Sequence, residues 1–150
     1  MIRDTIKTDL VTAMKGGDKE GTATIRLIQS SIKNRDIEAR TGKAPGDDDA
    51  LVTEVMQKMI KQRRESVELY RKGSREELAA IEEAEIVVIE RFLPKQMDEA
   101  EAKAAIAAIV AETGAASMKD MGRVMAELKS RHGSELDMSK ASAAVKAALS

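Results

Sequence analysis

Residues 51–93 read LVTEVMQKMIKQRRESVELYRKGSREELAAIEEAEIVVIERFL, and this stretch decides the fold. At 100° per residue Val52, Val55, Met56, Met59, Ile60, Val67 and Tyr70 share one arc of a helix over about Ala50 to Lys72. Leu78, Ile81, Val88, Ile89, Phe92 and Leu93 share an arc of a second helix, about Arg75 to Leu93. Between them stands Gly73-Ser74. Gly73 predicts a helix stop, and Ser74 with Glu77 has the spacing of a capping box. A connection this short predicts an antiparallel hairpin. Charges interrupt both arcs: Arg63 lies about ten residues before the turn and Glu85 about eleven after it, so the hairpin brings them level. Glu82 lies one helical turn from Glu85. The expectation is a buried Arg63–Glu85 or Arg63–Glu82 ion pair, because a guanidinium inside an apolar arc needs a carboxylate partner. The same carboxylates could instead form a general-acid site, although no nucleophile, metal set or second base falls on that face.

Helical period extends outward from the hairpin in both directions. Ile2, Ile6, Leu10 and Ala13 mark a first helix, about Ile2 to Lys15, stopped by Gly16-Gly17. Ile25, Ile28 and Ile32 mark a second, about Thr22 to Arg40. The loop through Pro45, Gly46 and Asp47-Asp48-Asp49 then leads to the hairpin, with the acidic run suited to a helix N-terminus. Beyond it Pro94 ends the pattern, and Asp98 with Glu101 repeats the capping-box spacing ahead of an alanine-rich helix, about Glu99 to Thr113. Two further helices follow, divided by Gly133 to Asp137. Ile86-Val87-Val88-Ile89 is the β-branched run, and it lies within a helical pattern, so no strand is predicted. The class is all-α: four helices in hairpins over residues 1–94, then a small three-helix domain over 95–150.

Composition narrows the function. The 150 residues hold 25 Lys+Arg, 26 Asp+Glu, one His and no Cys, which excludes thiol chemistry, zinc knuckles, cysteine-ligated clusters and a disulfide scaffold. The longest uncharged stretch is the eight residues Ala104 to Ala111, far short of a bilayer span, and the start alternates charged and apolar residues, unlike a signal peptide. A cytoplasmic protein with no membrane association is expected. Charge balance holds in each part, 17 Lys/Arg and 18 acids in residues 1–94 and eight of each in 95–150, so nucleic acid could be gripped only by a local patch. One Tyr, one Phe and no Trp exclude a base-stacking platform.

Two basic regions qualify as patches. Lys58, Lys61, Arg63, Arg64, Arg71 and Lys72 share their helix with Glu65 and Glu68, which favours a solvated mixed-charge face. Residues 114–150 carry six Lys/Arg against four acids. There Lys119, Arg123, Lys129, Lys140 and Lys146 are candidates to meet RNA phosphates, the alternative being the lysines that any amphipathic helix turns to water. His132, beside Gly133 at a helix end, reads as a dipole partner more readily than as a catalyst or ligand. No nucleotide loop, esterase elbow or zinc-protease motif occurs, and Asp47-Asp48-Asp49 lacks the ligand spacing of a calcium loop. No catalytic residue, metal or cofactor is expected.

Several runs are familiar together. TIRLI at 24–28 with IKN at 32–34 and Ile37-Glu38, KQRRES at 61–66 followed by Tyr70, Glu82 to Glu85 with FLPKQ at 92–96, and KDMGRVM at 119–125 followed by Lys129 and Val145-Lys146 resemble the YqeY-like proteins. The last run also resembles the tail that those proteins share with the B subunit of the tRNA-dependent amidotransferase. The resemblance implies an all-helical hairpin domain followed by a three-helix tail. It implies association with tRNA, which that tail is thought to help hold while a separate domain phosphorylates and amidates the misacylated residue. It also implies the label of a carbon–nitrogen ligase with glutamine as amide donor, an activity for which these residues supply no ATP loop, metal cluster or amidase nucleophile. The expectation is a tRNA-associated binding protein, or alternatively an adaptor or accessory of the amidotransferase or an aminoacyl-tRNA synthetase that does not touch RNA.

Overall fold

The computed structural model describes the backbone of residues 1–150 and every side chain except that of Ser139. It is helical, with no strand among the described residues, and its helices gather into two compact units, Met1–Leu93 and Pro94–Ser150.

The first unit contains α1 (Ile2–Lys15), α2 (Lys19–Ala39), α3 (Asp48–Lys72) and α4 (Glu76–Glu90). α1 pairs with α2, α3 pairs with α4, and α2 touches both members of the second pair. The core lies where the apolar stripes meet: Ile6, Ile25, Ile28, Val52, Met56 and Ile89 are at most 1% exposed, with Phe92 closing one end.

Helix ends explain where the expected boundaries shift. α2 begins three residues earlier than Thr22, because Asp18 caps it by accepting from the Gly21 N–H at 2.9 Å. A Cβ at Gly21 would meet the Asp18 carboxylate in its capping position, so a side chain there would make the cap shift. α3 likewise starts at Asp48, with Asp47 accepting from the Ala50 N–H at 3.0 Å. At the hairpin turn the expected Ser74–Glu77 capping box does not form: α4 starts at Glu76, and no side chain caps it. Ser74 serves the preceding helix instead. It takes the left-handed conformation, φ 58°, while Gly73 has φ −90°. The Ser74 N–H bonds to the Arg71 carbonyl at 3.1 Å and the Arg75 N–H to that of Tyr70 at 2.7 Å, the two bonds of a Schellman motif. Gly17, φ 71°, closes α1 in the same way through Asp18 N–H to Ala13 O. α4 stops at Glu90, short of Leu93, whose position before Pro94 disfavours helical backbone. Its buried face is Ala79, Ile86 and Ile89, with Phe92 just beyond its end, leaving Ile81 56% exposed against expectation.

The second unit contains α5 (Glu99–Thr113), a single 3-10 turn (Met118–Asp120), α6 (Met121–His132) and α7 (Met138–Leu149). The capping box of Asp98 and Glu101 is complete. Gly114 ends α5 in the left-handed region at φ 66°. Ile106 and Ile109 pack with Val124, Leu128, Leu136, Ala141, Val145 and Leu149. The segment entering α5 is pinned to the α6–α7 loop, the Met97 N–H donating to Glu135 O at 2.9 Å and Gln96 Nε2 to Ser134 O at 2.9 Å.

Candidate functional site

On α3 and α4 the hairpin register sets Arg63 opposite its acidic neighbours. Arg63 Nε donates to Glu85 Oε2 at 2.7 Å and lies 3.9 Å from Glu82 Oε2, while Nη1 donates to the Met59 carbonyl at 3.3 Å. The side chains of Arg63, Glu85 and Glu82 are 15%, 25% and 23% exposed, so the group sits at the rim of the helix interface and not in the core. With the guanidinium bound to it, Glu85 has the geometry of a clasp between helices. Arg64 repeats this with Glu90 at 3.2 Å, and Arg71 with Glu83. Among the described residues no group of three or more His, Asp or Glu could hold a metal ion.

A larger charged node escapes the sequence patterns. Arg3 of α1 donates to both oxygens of Asp36 on α2, at 2.9 and 3.1 Å, and to both oxygens of Asp48 at the start of α3, at 2.8 and 3.2 Å. Asp49 accepts from the Ile2 N–H at 3.0 Å. The Arg3 hydrogen bonds hold the Asp48 carboxyl below the usual carboxylate range, and the Asp48 and Asp36 hydrogen bonds raise the guanidinium in turn. The partners lie 33 and 45 residues apart in sequence, a separation to which no periodicity points. In Asp47-Asp48-Asp49, one residue caps, one pairs and one binds the chain start, so the acidic run is consumed by structure.

In the second unit all five basic candidates are exposed. Arg123 is bound to Asp120 at 3.1 Å. Asp120 also accepts from the Ala116 N–H at 3.0 Å, and chiefly that bond keeps its carboxyl below the ordinary range. Arg131 spans Glu112 and Glu127 at 2.6 and 3.1 Å. Lys119, Lys129, Lys140 and Lys146 hold no carboxylate among the described residues. Arg123 and Lys129 are six residues apart on α6, which places them about 120° apart round the helix, and Lys140 and Lys146 are separated likewise on α7. His132 ends α6 with Nδ1 3.5 Å from Glu135 Oε2 and without a hydrogen bond.

Guanidinium and ammonium groups are used differently throughout. Eight of the eleven arginines contact a carboxylate, Arg35 and Arg75 completing the set, and Arg91 lies over the Phe92 ring at 5.9 Å. Among the described residues no lysine enters an ion pair, and all fourteen lysines are exposed.

Comparison with known proteins gives the chain its relatives. The family model described as Yqey-like protein matches residues 3–149. A protein of Pyrenophora tritici-repentis named "Altered inheritance of mitochondria protein 41, mitochondrial" is 34% identical over 134 residues, 84% of this chain and 70% of that protein. One of the same name from Vanderwaltozyma polyspora is 38% identical over 88 residues, 59% of this chain and 46% of its own length. An uncharacterised protein of Schizosaccharomyces pombe is 32% identical over 90 residues, 60% of this chain and 70% of that protein. The chain thus spans about half the length of some of these relatives and more of others. The mitochondrial names overturn the expectation of a cytoplasmic protein. The physical reason is that any aqueous compartment selects the same balance of charged and apolar residues. No helix among the described residues is long and apolar enough to cross a membrane.

Proposed function

This chain belongs to the YqeY-like family, and from that premise we propose that it is a tRNA-associated helical binding protein whose C-terminal unit contacts phosphates through Lys119, Arg123, Lys129, Lys140 and Lys146. The supporting observation is that Lys119, Lys129, Lys140 and Lys146, four of the six exposed lysines of that unit, hold no carboxylate partner among the described residues. An ammonium that holds no neighbour can meet a phosphate without first breaking an ion pair. The likeness of residues 119–125 to the amidotransferase B-subunit tail supports tRNA as the RNA class. On this reading any amide transfer is the chemistry of partner subunits, to which the chain contributes RNA contact.

Because the cations diverge round each helix, roughly half can face one duplex, so these residues should contribute about −2 to −3 to the slope of log affinity against log salt. The test is fluorescence anisotropy with unmodified tRNA across a salt series. Substituting Lys119, Lys129, Lys140 and Lys146 by Gln should flatten the slope and weaken binding at low salt. Unchanged binding would overturn the assignment. Met118, 42% exposed beside Lys119, favours the protein-adaptor reading, and association with the amidotransferase or a synthetase that survives both nuclease and the lysine substitutions would establish that reading instead.

A further inference from the structure

α2 carries a row of cations that serves no structural purpose in the fold. Lys19, Arg26, Lys33 and Arg40 recur every seven residues and are all exposed. On an α-helix that spacing drifts by only about 20° per step, so the four form one stripe, with about 10.5 Å between neighbours and about 32 Å from first to last. Arg40 continues the helical phase, its backbone at φ −67° and ψ −28°. Ala23 and Ser30 lie exposed beside the stripe, between its charges. Both are small enough to let a backbone approach, and Ser30 adds a hydroxyl.

The stripe is free of compensating charge. Each acid of α2 is occupied elsewhere or points elsewhere: Asp18 caps the helix, Asp36 holds Arg3, Glu38 lies 3.8 Å from Arg35, and Glu20 is about 100° round from Lys19. Among the described residues none of the four cations contacts a carboxylate, and the polar contact made by their side chains is Arg26 Nη2 to Met14 Sδ at 3.9 Å. The two arginines are the telling members. Every other arginine holds a carboxylate or, for Arg91, lies over a ring. Arg26 and Arg40 alone among the described residues are left with neither, and both fall on this line.

We propose that this face of α2 is a docking surface for the phosphate backbone of a double-helical RNA segment. Charge complementarity selects a polyanion, and the regular spacing suits one whose charges are themselves regular. The stripe is about as long as one helical turn of a duplex. A membrane surface is disfavoured because an interfacial helix must insert an apolar face, and that of α2, Ile25, Ile28 and Ile32, is buried in the core. An acidic protein partner is disfavoured because the stripe has no aromatic anchor and a single exposed aliphatic on its line, Ile37. The absence of aromatic side chains from α2 also removes base stacking, leaving backbone shape as what is read. This surface lies in the first unit and stands on its own observations, apart from the C-terminal lysines.

The test measures binding of a 30-base-pair RNA duplex, phosphatidylserine vesicles and polyglutamate by the full chain and by the variant Lys19→Gln/Arg26→Gln/Lys33→Gln/Arg40→Gln. A second variant, Lys58→Gln/Lys61→Gln, removes two exposed cations of α3 and controls, charge for charge, for the change in net charge. Circular dichroism should show unchanged helicity, since the substituted groups hold no carboxylate. The expected result is that the stripe variant binds the duplex at least ten-fold more weakly at low salt, with a log–log salt slope shallower by about 3 to 4, while the control variant matches the parent. Duplex binding unaffected by the stripe variant would overturn the proposal, whatever the C-terminal variant does. An equal loss per charge in the control would overturn it, as would a stripe effect confined to vesicles or polyglutamate.

Discussion

The two units carry equally balanced charge and spend it differently. In the first, arginines repeatedly tie one helix to another: Arg3 joins α1 to α2 and α3, Arg35 reaches Glu54 of α3 from α2, and Arg63, Arg64 and Arg71 cross from α3 to α4. In the second, Arg123 bonds three residues back along its own segment, and Arg131 alone among the arginines there crosses to another helix. The long α3, 25 residues, is the centre of this clasping, since Arg63, Arg64 and Arg71 of α3 each bond to a glutamate of α4 and Asp48 and Glu54 of α3 take Arg3 and Arg35. The helices of the second unit are 12 to 15 residues long and are joined mainly by Ile, Val and Leu set among alanines.

The contrast can be broken at its least exposed clasp first. Arg63→Met should cost about 2 kcal/mol in chemical denaturation, below the 3–5 typical of a fully buried pair, because the group is partly solvated. Glu85→Gln should cost a comparable amount, and equal stability of both variants with the parent would remove the clasp reading. Arg3→Met comes next, at about 1 kcal/mol near neutral pH after solvent screening. Since Asp48 has a lowered carboxyl pKa in the fold, its contribution is present above about pH 4 and is lost as pH falls through the folded value. The gap in Tm between parent and Arg3→Met should therefore close in acid. A gap that widened there would show that Asp48 does not carry the effect.

A smaller effect, of opposite sign, lies at the helix ends. α1 and α5 end on left-handed glycines, whereas α3 ends with a left-handed serine at Ser74. Ser74→Gly should stabilise by about 0.5 kcal/mol, relief of the side-chain clash outweighing the added freedom of the unfolded chain. Smallest of all is Arg131→Gln, with an unchanged Tm expected because the group is exposed and screened. A clear loss there would make the second unit as dependent on clasps as the first.

Much of this architecture is legible in the sequence where the physics is local. Periodicity and punctuation predict seven helices, and counting outward from the turn sets Arg63 level with Glu85. Errors arise where a residue has two local uses. Ser74 looks like an N-cap but closes the helix before it. Arg3 with Asp36 and Asp48 is illegible because the fold alone joins them. The stripe on α2 is open to view at a spacing of seven, yet Glu20, Asp36 and Glu38 break up its charge until the fold shows what those acids face.

The division between arginine and lysine has a chemical corollary. Since the fold is clasped by guanidinium groups and every ammonium stands in water, an acylating reagent specific for amines could neutralise all fourteen lysines without opening a single helix-to-helix clasp among the described residues. The acylated chain would keep its helices and shed more than half of its positive charge, becoming an acidic copy of itself. The clasps are thus built from one nitrogen chemistry alone, and a reagent for the other can erase much of the positive charge while leaving them intact.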